Sequence, residues 1–472
     1  MTSKYPARLR AQKGFALIVL LSLLGFILVG VLLTIARGSA GATERARRTS
    51  EALAKAKEAL IAYAVAVQPD TSAKRPGDLP CPDLNNDGQA ELTCAATIQR
   101  IGRLPWKTLG LSDLRDGDGE RLWYALSANF LRSTVNQCPT VGAPGCLNSE
   151  TVGTITVHDP VGTVVNDGTD PVNGTNPPSG AVAVVFAPGP IITRLGGSTQ
   201  DRSCAGDTNI PGCEQSSICS GPAYTSTARC NPVNYLDIAG PPALSVPLAT
   251  ASTEDNADFA DGTTNNGFIA GPIRDTSDNT VVNDALIVVR YPDLIPRLEQ
   301  RVAREALKCL RDYANANGGH YPWAAPVSAD YTAPLADQDS TYSGRIPQTL
   351  SVTATYALSA AWVAPCPADM VALQNRWWAN WSNLVFYAIA TPYAPNNPIP
   401  TCGTCLSVDP PSPSANKPVV VLVAGRPIGP QARGVGALES AYLEDANATG
   451  SMTSIFKQAV ATTTFDDVAI FQ

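Results

Sequence analysis

Residues 15–36 read FALIVLLSLLGFILVGVLLTIA, a run of 22 residues without a charged side chain. A helix of that length is about 33 Å long, which is enough to cross the hydrocarbon core of a bilayer. The preceding residues carry four basic side chains and no acidic one, namely Lys4, Arg8, Arg10 and Lys13. Because basic flanks favour the cytoplasmic side, the sequence predicts one transmembrane segment, with the chain after Arg37 outside the cytoplasm. A cleavable secretory signal has a shorter apolar region.

The junction before the apolar run, residues 10–20, reads RAQKGFALIVL. A basic leader followed by Gly14, Phe15 and an apolar helix resembles the prepilin peptidase site of type IV pilins and type II secretion minor pseudopilins. The resemblance implies a leader of residues 1–14, cleavage after Gly14 and methylation of the new N-terminal Phe15. A small, flexible glycine lets a protease approach the backbone at the membrane surface. The alternative is an ordinary uncleaved signal anchor.

One position departs from the family pattern. Most pilins have a glutamate five residues after the cleavage site, whereas this chain has Val19. That carboxylate is thought to pair with the N-terminal amine of a neighbouring subunit, because an unpaired charge in lipid is costly. Minor pseudopilins that cap a filament also lack it. The resemblance therefore implies a tip, initiation or accessory subunit, and loss of assembly competence is the rival interpretation.

Residues 37–68 are predicted to continue as an amphipathic helix. Five apolar residues recur at spacings of three and four, namely Leu53, Ala56, Leu60, Ala64 and Val67. This spacing places them on one helix face. Lys55 and Lys57 fall outside that stripe. Pilins pack the exposed half of their long helix on a sheet in this way, although any amphipathic helix on a sheet has the same pattern.

The C-terminal part of the sequence repeats the order of the first part. GRLP at 102–105 is matched by GRIP at 344–347, RLWYALS at 121–127 by LVFYAIA at 384–390, and AVAVVFAPG at 181–189 by PVVVLVAG at 418–425. Further on, Tyr235-Leu236-Asp237 is matched by Tyr442-Leu443-Glu444, and NDALIVV at 283–289 by DDVAIF at 466–471. Several matches in one order indicate an internal duplication.

The predicted fold class is therefore α+β. The N-terminal transmembrane helix continues into the amphipathic helix, and two pilin-like modules of a helix plus an antiparallel sheet follow, at residues 69–295 and 296–472. Pro296 suits the first turn of the second module's helix. Residues 132–180 and 200–280, which are rich in turn-forming residues and hold six cysteines, are predicted to be surface loops closed by disulfides.

The chain has 12 cysteines, and most of them lie in loop-like sequence, which favours disulfides in an oxidising compartment over a zinc site. The candidates are Cys81, Cys94, Cys138, Cys146, Cys204, Cys213, Cys219, Cys230, Cys309, Cys366, Cys402 and Cys405. Neighbouring pairs such as 81–94, 138–146 and 402–405 are the simplest hypothesis. Cys402 and Cys405 have the spacing of a redox motif, but their flanks read as loop rather than as a helix start, which favours a structural bond.

A candidate metal site lies at residues 83–91. Asp83, Asn85 and Asp87, followed by Gly88, match the opening half of a calcium loop, and Glu91 could add a ligand. Cys94 stands where an EF-hand has its bidentate glutamate, so the segment is not an EF-hand. Calcium is thus the one cofactor that the sequence indicates, and an Asx-rich turn closed by Cys81 and Cys94 is the alternative.

The remaining features do not indicate an enzyme. Neither His158 nor His320 belongs to a recognisable catalytic motif. The net charge of −7 makes nucleic acid an unexpected partner. Trp377, Trp378 and Trp381 fit either a core patch or an exposed aromatic surface for a glycan or protein partner.

The expected function is that of a minor pilin or pseudopilin, a structural component of a type IV pilus or type II secretion filament, at its tip or in its initiation. It would span the inner membrane once, with a cytoplasmic N-terminus and a periplasmic C-terminal domain that could reach a filament tip or the cell surface. The implied partners are the prepilin peptidase, other pilin or pseudopilin subunits and the inner membrane. The alternative is an uncleaved, signal-anchored periplasmic binding protein or adhesin.

Overall fold

The computed structural model describes most of the chain after residue 12, with side chains from residue 40 onward. The described residues are 13–67, 74–132, 145–169, 180–193, 199–202, 230–237, 255–262, 264, 266–275, 277–351, 358–363, 366, 376–403, 405–409, 414–449 and 455–471. They form helices and several sheets that are mainly antiparallel, which confirms the α+β class.

The helices are α1 (Lys13–Ala66), α2 (Tyr291–Ala316) and the short α3 (Arg376–Trp381). Helix α1 is continuous through the predicted segments 15–36 and 37–68, although it ends two residues before residue 68. No helix among the residues described in side-chain detail is long and apolar enough to cross a membrane. The segment 15–36 lies before that part of the chain, so its transmembrane assignment stays a prediction.

The strands are short and many. In chain order they are β1 (Ile101–Arg103), β2 (Trp123–Leu126), β3 (Val157–His158), β4 (Val164–Asn166), β5 (Ala183–Ala187), β6 (Phe268–Ile269), β7 (Ile273–Arg274), β8 (Thr280–Val282), β9 (Ala285–Val289), β10 (Ser343–Arg345), β11 (Val385–Ile389), β12 (Leu406–Asp409), β13 (Ser414–Lys417), β14 (Val419–Val423), β15 (Ile455–Lys457) and β16 (Val468–Phe471).

Two antiparallel four-stranded sheets form the centre of the molecule, one in the first half of the chain (residues 74–289) and one in the second half (residues 291–471). Their strand orders are β1-β2-β5-β9 and β10-β11-β14-β16. The registers also correspond. The row that runs across the first sheet is Gly102, Tyr124, Val185 and Ile287, and the row across the second is Gly344, Tyr387, Val421 and Ile470.

The inner faces of both sheets share one hydrophobic core with the two long helices. Helix α1 packs on β5 and β9, α2 packs on β14 and β16, and the helices contact each other. Four residues of the predicted α1 stripe are buried, namely Leu53, Ala56, Leu60 and Ala64, whereas Val67 is half-buried. Tyr124 and Tyr387 point into the same core from the two sheets. The apolar stripe of α1 thus faces the core, as the sequence predicts.

The outer face of each main sheet is covered by a smaller three-stranded sheet. Their strand orders are β4-β3-β6 and β13-β12-β15, and each contains one parallel pair. The prediction that residues 132–180 and 200–280 are surface loops is wrong where their described parts form strands, namely β3, β4, β6 and β7. The reason is hydrophobic burial: Phe268 of β6 contacts Phe186 of the main sheet, with ring centroids 5.0 Å apart, and both rings are buried.

Helix α2 begins at Tyr291, so the prediction that Pro296 lies in its first turn is wrong. Pro292 occupies the first turn instead, where a missing N–H costs nothing. The Asp293 carboxylate accepts a hydrogen bond of 2.8 Å from the Arg290 backbone N–H, which caps the start of the helix. Asp293 also binds Lys57 of α1 at 2.7 Å and so links the two helices.

Candidate functional site

Each half contains a buried polar cluster where the last strand of its main sheet begins. The first cluster consists of Gln200, Arg202, Asp237, Asn256, Asn283 and Asp284, and the second of Gln431, Arg433, Glu444, Asn447, Asp466 and Asp467. In both clusters an aspartate just before the last strand accepts a backbone N–H from the acidic residue that follows Tyr-Leu. The distance is 2.7 Å from Asp237 N to Asp284 Oδ2 and 3.0 Å from Glu444 N to Asp467 Oδ2.

An asparagine joins this aspartate to the smaller sheet. Asn256 donates to Asp284 Oδ2 at 2.9 Å, and its amide also exchanges hydrogen bonds with both backbone groups of Ile269 in β6. In the second half, Asn447 donates to Asp467 Oδ2 at 3.1 Å and pairs in the same way with Lys457 of β15. Each asparagine thus connects the outer layer to the main sheet.

A glutamine supports the acidic residue in each cluster. Gln200 donates to Asp237 Oδ1 at 2.7 Å, and Gln431 donates to Glu444 Oε1 at 2.7 Å. The oxygen of each side-chain amide accepts a backbone N–H in turn, from Ile192 in the first half and from Ile428 in the second. Both glutamines are therefore oriented by their local turns, and both present a donor to a carboxylate.

An arginine two residues after each glutamine closes the cluster. Arg202 donates to Gly189 O at 2.7 Å, and Arg433 donates to Gly425 O at 2.9 Å. Each guanidinium also lies over a tyrosine ring, which is Tyr235 at 4.9 Å in the first half and Tyr442 at 5.5 Å in the second. The arginines of GRLP and GRIP, Arg103 and Arg345, lie over the same two rings at 4.3 and 4.8 Å. Each tyrosine is thus held by two cations.

Burial perturbs the carboxyl groups strongly. It raises the pKa of Asp284 well above the usual range, and the nearby Asp237 charge raises it further. Burial and the neighbouring Glu444 raise the pKa of Asp467 in the same way. The Oδ1 atoms of Asp284 and Asp467 are buried, and neither has a hydrogen-bond donor among the described residues.

The two clusters differ in one ionisable residue. Asn283 precedes Asp284, whereas Asp466 precedes Asp467. Burial, followed by the Glu444 charge, raises the pKa of Asp466 to about 7. Within the described part of the chain, Glu444, Asp466 and Asp467 are the group of three potential metal ligands whose atoms converge, all within 4.8 Å of one another. The first cluster has an amide in place of the third carboxylate.

The second cluster reaches the first half of the chain through Arg433. Its guanidinium pairs with Glu150 at 2.9 Å, and both side chains are buried. Glu299 of α2 lies nearby, and burial raises its pKa to about 8, with the charge of Asp466 raising it further. The guanidinium of Arg433 thus lies, together with that of Arg426, in a region that holds five carboxyl groups, which are those of Glu150, Glu299, Glu444, Asp466 and Asp467.

The predicted calcium loop at residues 83–91 is a turn closed by its own backbone. Asp83 is buried, and its two carboxylate oxygens accept the N–H groups of Asp87 at 3.2 Å and Gly88 at 2.7 Å. Asn85 also accepts from Asp87 N, and Asp87 accepts from Gln89 N. Glu91 donates its backbone N–H to Pro82 O. These contacts describe an Asx turn, and calcium binding there stays a prediction.

The prediction of disulfide bonds is confirmed. Among the described cysteines the bonded pairs are Cys81–Cys94, Cys309–Cys366 and Cys402–Cys405. Cys146 and Cys230 are also disulfide-bonded. The other candidates, Cys138, Cys204, Cys213 and Cys219, lie outside the described residues, so the 138–146 pairing is untested. The Cys402–Cys405 bond lies in a loop before β12, as its flanking sequence indicates.

The remaining predicted residues fall into two groups. Trp377, Trp378 and Trp381 are buried in the core, so the alternative of an exposed aromatic surface is wrong. The cleavage-site residues Gly14 and Phe15 belong to α1. They precede the part of this helix whose side chains are described, so their processing stays a prediction.

Comparisons with family models, with curated proteins and with solved structures gave no match.

Proposed function

We propose that the chain is a minor pilin or pseudopilin that acts at the tip or in the initiation of a type IV pilus or type II secretion filament. The observation that carries the proposal is helix α1, which is continuous for 54 residues, includes the Gly14-Phe15 junction and ends on the inner face of a four-stranded antiparallel sheet. In the family that the junction resembles, the long helix has the same relation to a sheet.

The second half is a further pilin-like unit, and none of its described helices is long and apolar enough to cross a membrane. Three correspondences support a duplication of residues 69–295 into 296–472: the strand orders of the main sheets, the strand orders of the smaller sheets, and the polar clusters. In both halves a helix lies on the inner face of the main sheet, which is α1 in one and α2 in the other. A duplicated head is larger than a filament body needs, which favours display or capping.

The proposed partners of the chain follow from the way in which a prepilin is cleaved and assembled. The prepilin peptidase would cut after Gly14, the inner membrane would hold the apolar half of α1, and other pilin or pseudopilin subunits would pack around it. Val19 cannot supply the carboxylate that a bulk subunit contributes to assembly. An accessory position in the filament fits that substitution.

The N-terminus of the mature chain tests the proposal. The full chain is co-expressed with a prepilin peptidase, and the N-terminal peptide is identified by mass spectrometry. We expect a methylated Phe15. Gly14→Val should block cleavage, because a branched side chain hinders approach to the backbone, whereas the matched control Gly25→Val should leave cleavage intact. A wild-type chain that keeps Met1, or one cut after Ala40, would contradict the proposal, and a retained Met1 would favour the signal-anchored binding protein.

A further inference from the structure

We propose that Glu444, Asp466 and Asp467 in the second half bind one divalent cation of the size of calcium. The cation joins the acidic residue that follows Tyr442-Leu443 to the two residues that precede β16, and it thereby stabilises the last strand of the second main sheet. The inference does not depend on the pilin proposal, because it concerns the folded head alone.

The spacing of the three carboxyl groups fits one cation. One oxygen from each side chain belongs to a group of three whose members all lie within 4.8 Å of one another. Calcium binds oxygen at about 2.3–2.6 Å, so two ligands on opposite sides of the ion are at most about 5 Å apart. Magnesium binds oxygen at about 2.0–2.1 Å, which limits the same separation to about 4.2 Å. An ion of the size of calcium therefore reaches all three side chains.

Two of these side chains carry a buried oxygen that lacks a hydrogen-bond donor. Asp467 is only 2% exposed, and its Oδ2 accepts hydrogen bonds from Glu444 N and Asn447 Nδ2, whereas its Oδ1 has no donor within the described part of the chain. Asp466 Oδ2 accepts from Arg426 N at 2.8 Å, and the Oδ1 of Asp466 likewise has no donor among the described residues. A buried anionic oxygen without a donor is costly, and a bound cation removes that cost.

The basic residues around the cluster do not neutralise it. Arg433 pairs with the buried Glu150 at 2.9 Å, and Lys457 pairs with Asp445. Arg426 contributes one positive charge beside the cluster. Three carboxylates and one such charge leave a surplus of two negative charges, which a divalent cation compensates.

The backbone holds Asp466 at the cluster. The carboxyl group of Asp466 lies so close to Gly425 that a Cβ atom at Gly425 would be 2.1 Å from Asp466 Oδ1, so this contact requires glycine. Asp466 is half-buried, whereas Glu444 and Asp467 are buried. The side of the cluster at Asp466 therefore gives an entering ion a route from solvent and leaves room for the water ligands that calcium commonly retains.

The first half provides an internal comparison. Asn283 occupies the position of Asp466, and the amide of Asn283 donates to Pro190 O at 2.6 Å. Pro190 has no backbone N–H, whereas Arg426 at the corresponding position donates its N–H to Asp466. The local backbone thus suits an amide in one half and a carboxylate in the other. The first cluster has one carboxyl group fewer, so the proposal is confined to the second half.

Unfolding of the full chain with and without calcium tests the proposal. The protein is stripped with a chelator and unfolded with denaturant at constant pH and ionic strength, with calcium or magnesium added. For a dissociation constant of about 10⁻⁴ M, about 1 mM calcium should raise the folding constant of the wild type about tenfold, and magnesium should raise it less. Asp466→Asn keeps the acceptor for Arg426 N and gives the second cluster the composition of the first, so it should lose this rise. Glu444→Gln is the second variant, with the same expectation.

Two control variants separate the site from other sources of a calcium effect. Asp445→Asn removes the same charge from an exposed neighbouring side chain, and Asp87→Asn alters the separate candidate loop at residues 83–91, so both should keep the rise. Calorimetric titration with calcium measures binding directly, and we expect heat of binding from the wild type that Asp466→Asn lacks. The proposal is overturned if calcium neither binds nor stabilises the wild type, if Asp466→Asn and Glu444→Gln respond as the wild type does, or if either control loses the response. A larger effect of magnesium than of calcium would overturn the assignment of ion size.

Discussion

Arg433 of the second half lies 2.9 Å from Glu150 of the first half, and both side chains are buried. The guanidinium also donates to the backbone carbonyls of Gly425, Ala441 and Tyr442. Glu150 belongs to the segment after Cys146, which fits between the halves. The two halves are therefore joined by a specific polar contact as well as by their common hydrophobic core.

We predict unequal effects when the two partners of this pair are removed. Arg433→Met leaves Glu150 buried without its cation and should lower the free energy of unfolding by about 3–5 kcal/mol. Glu150→Gln should cost less, because Arg433 keeps its carbonyl acceptors. Denaturant unfolding measures both changes, and the exposed pair of Arg47 and Glu51 is the matched control, for which we expect no measurable change. If substitutions in the buried pair and in the exposed control pair lowered the free energy of unfolding equally, the buried contact would add nothing to stability.

The α1 stripe makes a second prediction. Leu60 is completely buried between the two halves, so Leu60→Ala should lower the free energy of unfolding by about 2–5 kcal/mol through lost burial and a cavity. Lys55→Ala on the exposed face of the same helix should leave it almost unchanged. Thermal or denaturant unfolding of the two variants checks the difference. If Leu60→Ala left the free energy of unfolding unchanged, α1 would not stabilise this core.

The sequence predicts the main sheets well and the outer layers poorly. GRLP and GRIP, followed by the two Tyr-containing strands, share one order, and they form corresponding strand pairs. The smaller sheets escape prediction because β3 and β6 have only two residues each, too few to show an alternating pattern. Their burial depends on aromatic residues such as Phe268, which stand alone among turn-forming residues.

The sequence does not predict the polar clusters as sites, although it shows the repeated residues from which they are built. Tyr-Leu-Asp and Tyr-Leu-Glu appear in the repeat, and so do the acids before the last strands. An acid before an apolar strand usually marks only the strand end. Asp237 and Asp284 are 47 positions apart in the sequence, whereas Glu444 and Asp467 are 23 positions apart. The spacing therefore carries no common signal.

The disulfides are predicted to differ in their contribution to stability. Cys309–Cys366 closes a loop with a sequence separation of 57, whereas Cys402–Cys405 has a separation of 3. Because the entropy of loop closure rises with loop length, replacing the first pair by serines should cost about 4 kcal/mol and the second about 2 kcal/mol. Denaturant unfolding of the two double variants gives the comparison. The reverse order would show that chain entropy does not dominate.

The buried Glu299 predicts an unusual pH dependence. Burial raises its pKa to about 8, so the folded chain holds a proton that the unfolded chain releases above about pH 4.3. Its contribution is complete at low pH and falls by about 1.4 kcal/mol per unit as pH rises through this window. Glu299→Gln should flatten the unfolding free energy between pH 5 and 8. The exposed Glu44, whose pKa is lowered to about 2 by hydrogen bonds from Arg47 and Arg48, titrates below this window, so Glu44→Gln is the control.

Two interpretations of residues 83–91 can be distinguished by experiment: a turn held by its own hydrogen bonds and a calcium site. Both carboxylate oxygens of Asp83 already accept backbone N–H groups, and a cation would have to compete with them. If the segment is an Asx turn alone, a chelator should not change the melting temperature of the Asp466→Asn variant, which lacks the proposed cation site, whereas Asp83→Ala should lower the free energy of unfolding by about 1–3 kcal/mol because buried N–H groups lose their acceptor. Asp87→Asn keeps the hydrogen bond to Gln89 N and removes one charge, so it should be nearly neutral. If added calcium instead raises the melting temperature of the Asp466→Asn variant and Asp87→Asn abolishes the rise, the loop binds calcium, and the hydrogen bonds of Asp83 must rearrange to admit it.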